Sequence, residues 1–156
     1  MKSSATKLVI KRMLPASRER VFSALTDPAK MAKWFYGMET GQAKVKSDFR
    51  VGGKYSIEMS NANEKCVPFG EYLEIVPPKR LVFTWSSEGH VKDSKVTIEL
   101  FEKENKTELV LTHELPKDVI EPHQHGWTNC MRHLEEYLGR RKLEHKNFRR
   151  RVCGFG

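Results

Sequence analysis

What this sequence lacks narrows the field before any motif does. No apolar run approaches the roughly 20 residues that cross a bilayer, so membrane insertion is not expected. The opening MKSSATKLVIKRML carries a short apolar stretch broken by Lys11 and Arg12, which does not read as a secretory signal. Cysteine is sparse and odd in number. Cys66, Cys130 and Cys153 share no metal-type spacing, which favours reduced thiols in a cytoplasmic protein. Without export, the glycosylation sequon Asn105-Lys106-Thr107 carries no meaning. There is no phosphate loop, dinucleotide fingerprint or Ser-His-Asp set, and no internal repeat. No cofactor is therefore expected.

What is present fits one domain. A chain of 156 residues, 38% hydrophobic and 31% charged, can bury about two-thirds of its unfolded surface. The formal charge of +8 invites a nucleic-acid reading until it is located. Residues 140–156, RRKLEHKNFRRRVCGFG, hold seven basic residues against Glu144 alone, which is +6 of that total and leaves +2 for residues 1–139. The basicity belongs to the tail and says little about the domain's partners, so no nucleic-acid partner is expected. Leu143-Glu144-His145 resembles a cloning junction. Residues 140–156 are accordingly set apart from the 1–139 domain, as a disordered or artificial tail.

The late run from Glu121 to Gly139 organises the rest. Trp127, Met131, Leu134 and Leu138 recur at three- and four-residue steps along one helical face, with Glu135 and Glu136 on the wet side and Gly139 as the expected stop. Before it, Lys7 to Leu14 reads as a strand closed by Pro15. Ser17 caps a short helix, and Asp27-Pro28 opens a second that runs into Trp34-Phe35-Tyr36 and stops by Gly37. The period then changes to two. Glu39 to Lys46 is a weak strand, Arg50-Val51-Gly52-Gly53 a turn, and Tyr55, Ile57 and Met59 mark the next strand. Lys65 to Val76, Leu81 to Trp85, Val96 to Leu100 and TELVLTHEL follow, with SSEGHVKD read as a loop. Short turns between consecutive strands imply an antiparallel meander. The fold class is α+β: a curved antiparallel sheet of six to seven strands around a long C-terminal helix, with two short helices after the first strand.

The stretches RVFSALTDPAKMAKWF, VGGKYSIEM, GEYLEIVPPKRLVFTW, SKVTIEL, TELVLTH and GWTNCMRHLEEYL stand in one order and spacing over residues 7–139. Together they resemble the bacterial homologues of the ninety-kilodalton heat-shock chaperone's ATPase activator, within the START-like, polyketide-cyclase and lipid-transport superfamily. The resemblance implies a helix-grip fold with a cavity between sheet and helix. Matching positions are Trp34, Gly52, Gly53, Gly70, Trp85, Gly126 and Trp127. The superfamily mixes lipid carriers, cyclases, aromatases and chaperone activators, so the fold alone does not choose a function.

Candidate site residues follow from phase. Trp34, Phe35, Phe69, Trp85 and Trp127, with His113, Met131 and Leu134, are the expected lining of a ligand cavity. His113 falls in phase with Leu109 and Leu111 and should point inward, either as a hydrogen-bonded core histidine or as a general base. Strict alternation with Phe69 and Leu73 would turn Glu71 inward, whereas a bulge near Gly70 would turn it out, and the bulge is preferred. No other catalytic candidate stands out. His123 and His125, two apart, lie on different sides of a helix and find no third ligand, so no metal is expected. Cys66 and Cys130 read as structural thiols.

The first expectation is a cytoplasmic binding module for a small hydrophobic or aromatic molecule, a lipid among them, acting as monomer or homodimer. The second is a co-chaperone-like regulator of a chaperone ATPase, suggested by the resemblance alone. The third is a cyclase- or dehydratase-like enzyme using His113 or Glu71.

Overall fold

A computed structural model describes residues 6–154, with side chains described through Gly139. Strand β1 (Thr6–Leu14) is followed by helices α1 (Arg18–Thr26) and α2 (Pro28–Met31). Strands β2 (Gln42–Ser47), β3 (Lys54–Ser60), β4 (Lys65–Cys66), β5 (Phe69–Val76), β6 (Arg80–Ser87), β7 (Val91–Lys103) and β8 (Lys106–Leu115) come next. One tight helical turn, Lys117–Val119, leads into α3 (Ile120–Gly154). All pairings are antiparallel, in the order β1-β8-β7-β6-β5-β3-β2, with the short β4 on β3. Seven strands thus form a curled half-barrel around α3. Register shifts between Tyr72 and Glu74, and between Trp85 and Ser87, sharpen its bend.

The caps sit where the sequence places them. Ser17 Oγ accepts from Arg20 N at 3.2 Å and Asp27 Oδ1 accepts from Ala29 N at 2.9 Å. Each satisfies an amide that the first helical turn leaves without a partner. The expected inner face of α3 is buried throughout: Trp127, Met131, Leu134 and Leu138 are all within 3% of full burial. Arg12, which interrupts the apolar face of β1, reaches over to Glu135 on α3 at 2.8 Å.

Four expectations need correction. Helix α2 ends at Met31 and does not continue through Tyr36, because Lys33 N and Trp34 N bond three residues back, to Lys30 O and Met31 O, and tighten the chain into a turn. The strand expected over Lys65 to Val76 is broken at Val67-Pro68. Proline has no amide to donate, and its carbonyl instead accepts from Ile57 N at 3.0 Å. The SSEGHVKD stretch is mostly strand, closing a hairpin in which Gly89 takes φ +81°. Gly139 does not stop α3, whose backbone runs on to Gly154. A glycine inside a helix lowers its stability by about 1 kcal/mol but does not terminate it when strong helix formers follow. The side chains of residues 140–154 lie outside the described residues, as do residues 1–5, 155 and 156, so the separate tail expected there is left as an expectation.

Two glycines are set by close approach. A Cβ on Gly53 would stand 1.9 Å from Asp48 O, and one on Gly70 would stand 2.0 Å from Thr84 O. Backbone atoms cannot yield that space, so glycine is required at both.

Leu134 is fully buried between α3 and the sheet. Leu134→Ala should lower unfolding free energy by about 2–5 kcal/mol in urea titration, with the denaturant slope unchanged. A loss below about 1 kcal/mol would show that α3 does not bear on the sheet there.

Candidate ligand site

Aromatic side chains from separate elements meet under α3. Trp34 and Phe35, in the turn after α2, stack at 4.6 Å between ring centroids with an interplanar angle of 17°. Phe35 lies 6.2 Å from Trp85 on β6 and 5.7 Å from Trp127 on α3, and these two indoles are 4.9 Å apart. Trp34 is anchored by its indole N–H, which donates to Ala24 O at 2.9 Å.

Behind the indoles, His113 on β8 is fully buried and fully used. Trp127 Nε1–H donates to His113 Nδ1 at 3.0 Å, so that nitrogen carries no proton. The proton of the neutral ring is therefore on Nε2, which donates to Ser94 Oγ at 2.8 Å, and Ser94 Oγ donates to Trp85 O at 2.6 Å. Burial, with the nearby His123, pushes the His113 pKa down to about 3. Both ring nitrogens of His113 are thus engaged in the buried hydrogen-bond chain. The sequence reading left Ser94 out, between the SSEGHVKD loop and the strand from Val96 to Leu100, although it is in phase with the inward Val96, Ile98 and Leu100.

Two spaces differ sharply. The enclosed interior beside Trp34, Phe35, Trp127 and Met131 holds only about 20 Å³, roughly one water. A cleft of about 580 Å³ opens at the mouth of the half-barrel. It lies between the start of α3, the Gly37–Thr40 loop, the β3–β4 turn and the β6–β7 hairpin, with Trp85, Trp127 and Met59 among its apolar lining. His113 and Leu134 line neither space. Phe69 is 48% exposed and faces a surface hollow beside the β6–β7 hairpin, outside the aromatic cluster. The expected phase of β5 was one residue out: Tyr72, not Leu73, points inward. That same phase, rather than a bulge at Gly70, turns Glu71 outward, where it pairs with Lys54 at 3.8 Å.

The cleft has a polar side. Asn129 Nδ2 donates to Gly37 O at 2.9 Å and His133 Nε2 donates to Met38 O at 2.7 Å, tying the loop to α3. His123 Nδ1 donates to Val119 O at 2.8 Å. The His123 pKa is lowered by burial and by nearby His90, against the raising effect of the Val119 bond. Cys66 Sγ is 3.7 Å from Ser87 Oγ, while burial pushes the Cys130 thiol up and away from nucleophilic use. Among the described residues, no group of three or more His, Cys, Asp or Glu side chains is arranged around a common metal position. The buried side-chain polar atoms without a partner, among the described residues, are Arg18 Nε and Trp85 Nε1.

The family model described as "Activator of Hsp90 ATPase homolog 1-like protein" matches residues 15–139. The chain belongs to this family. Protein CV1439 from Chromobacterium violaceum is 29% identical, with a TM-score of 0.74 over 85% of this chain and 96% of that one. CalU16 from Micromonospora echinospora is 26% identical, with a TM-score of 0.69 over 90% and 80% of the two chains. An AHSA1-like protein from Aeromonas hydrophila, 20% identical, shares the fold at a TM-score of 0.78 over 90% and 96%. No curated protein matches. In this member of the activator-homologue family, the aromatic cluster packs the core and the Trp85–Trp127 edge of that cluster reaches the cleft.

The His113 environment gives a pH signature. Its folded pKa of about 3 lies below the unfolded value near 6.5, so the neutral ring's stabilisation is complete above pH 6.5 and is lost as pH falls towards 3. Between pH 7 and 5 this should remove about 2 kcal/mol of unfolding free energy. His123 pulls the same way, so the comparison is with His113→Gln, whose loss over that interval should be smaller by that amount. Equal losses in the two proteins would refute the neutral, buried assignment.

Proposed function

We propose that this protein is a START-like binding module that takes a small hydrophobic or aromatic molecule, rather than an enzyme. The observation carrying this reading is the cleft of about 580 Å³ beside an otherwise filled core. That size lies within the roughly 300–1,000 Å³ typical of small-molecule sites. Its indole floor supplies flat apolar surface, and its polar rim supplies a few orienting groups. The acid–base alternative finds no support at its two candidates. His113 has both ring nitrogens committed beneath the indoles, and Glu71 pairs with Lys54 away from the cleft. A cytoplasmic setting accords with the cysteine usage. Lipid carriage is the variant of this function in which the guest is aliphatic. Chaperone regulation rests on the family description alone.

Gly126 provides the test. It lies on α3 at the cleft, and a Cβ built there meets nothing within 4 Å. Gly126→Leu should fold with a helix stabilised by up to about 1 kcal/mol and extend its side chain into the cleft. In the unmodified protein, an aromatic or alkyl ligand at 100 times its Kd should add about 2.7 kcal/mol of stability, read as a rise in Tm. That rise should disappear in Gly126→Leu. A panel of such molecules that moves neither Tm nor tryptophan fluorescence would overturn the reading.

A further inference from the structure

We infer that the cleft prefers a positively charged aromatic guest, with its ring on the apolar lining and its ammonium group at the rim formed by Glu39 and Glu64. This rests on the binding role proposed above and adds the charge of the ligand. Glu39 and Glu64 are the carboxylates lining the cleft, and no Lys or Arg lines it. Both are exposed, and neither makes an ion pair among the described residues. Lys65, next to Glu64 in the chain, reaches Glu58 instead, at 3.6 Å. Burial and the nearby His90 hold His123 below the ordinary histidine range, so its ring brings no positive charge at neutral pH.

Asn61 joins the two acidic segments. Its Nδ2 donates to Thr40 O at 3.1 Å, and its Oδ1 accepts from Glu64 N at 2.9 Å. The chain leading into Glu39 is held to α3 by the bonds from Asn129 and His133 to Gly37 O and Met38 O. Both acidic segments are thus tied, directly or through Asn61, to the wall fixed on α3. A neutral ring gains only the apolar lining, Met59 and Trp127 among it. A carboxylate or phosphate meets two like charges with no cation to offset them, so fatty acids and phosphorylated headgroups are disfavoured. An ammonium meets the opposite charge at both residues. The formal charge of +8 works the other way, drawing anions to the protein at large, so a preference for cations is a property of the cleft.

The test uses the full chain, titration calorimetry at neutral pH and three probes of one shape: protonated 2-naphthylmethylamine, 2-naphthylmethanol and 2-naphthoate. Only binding that Gly126→Leu abolishes is counted, which separates the cleft from the basic tail. We expect the ammonium to bind about fivefold more tightly than the alcohol at low salt, with 2-naphthoate weakest. Raising the salt to about 0.5 M should bring the ammonium close to the alcohol, because exposed charges are screened there. The double variant Glu39→Gln with Glu64→Gln, both at exposed positions, should do the same at low salt and leave alcohol affinity unchanged. Equal binding of the ammonium and the alcohol in the unmodified protein would overturn the charge preference and leave the binding role intact. Tightest binding by 2-naphthoate would overturn it as well. A preference for the ammonium that survives in the double variant would overturn the assignment to Glu39 and Glu64. No binding by any probe at millimolar concentration would overturn both this inference and the binding role.

Discussion

The chain of hydrogen bonds from Trp127 through His113 and Ser94 to the Trp85 carbonyl joins α3 to β8, β7 and β6. Apolar contacts between a curled sheet and one helix are non-directional and leave the helix free to rotate or slide by small amounts. A buried relay in which each group has one permitted partner removes that freedom, because a displaced helix leaves an indole N–H and an imidazole nitrogen unpaired in a dry interior. The relay also dictates the histidine tautomer, and so holds the ring neutral where charge would be expensive. The placement of Trp127 at the cleft follows from this anchorage.

The rings then decide where open volume survives. Trp34, Phe35, Tyr55, Tyr72 and Phe83 pack within the half-barrel at contact distances and bring its centre close to solid. At the mouth, α3, a loop and a hairpin stand apart, and Gly37 and Gly126 bring no side chain to the gap between them. The hollow lies at the end of the architecture instead of along its axis. The enclosed ring-lined cavity that the fold suggests is thereby largely replaced by an open cleft beside the same indoles.

Much of this was legible in the residues. The step pattern of Trp127, Met131, Leu134 and Leu138 identified the buried face of α3, and Ser17 and Asp27 identified the starts of both short helices. Regular alternation placed Ile57, Ile98 and Leu111 correctly, since a strand has only two faces to offer. The same rule failed on β5, where Phe69 and Leu73 look like core residues but Tyr72 claims the inner face; apolar identity cannot set phase when both faces carry apolar groups. The cleft was illegible for a different reason. Gly37, Met59, Cys66, Trp85, His90 and His123 come from five separated stretches, and only the folded register brings them together.

The bonds from Asn129 and His133 to the carbonyls of Gly37 and Met38 have a kinetic meaning. Swinging that wall outward would strand the Gly37 and Met38 carbonyls and break the Tyr36–His133 stack at 4.1 Å, whereas Glu88, Gly89 and His90 across the gap are exposed at the tip of a hairpin. Of the two walls of the mouth, the helix side is accordingly the fixed doorpost, and the hairpin tip is the side with least to lose by yielding.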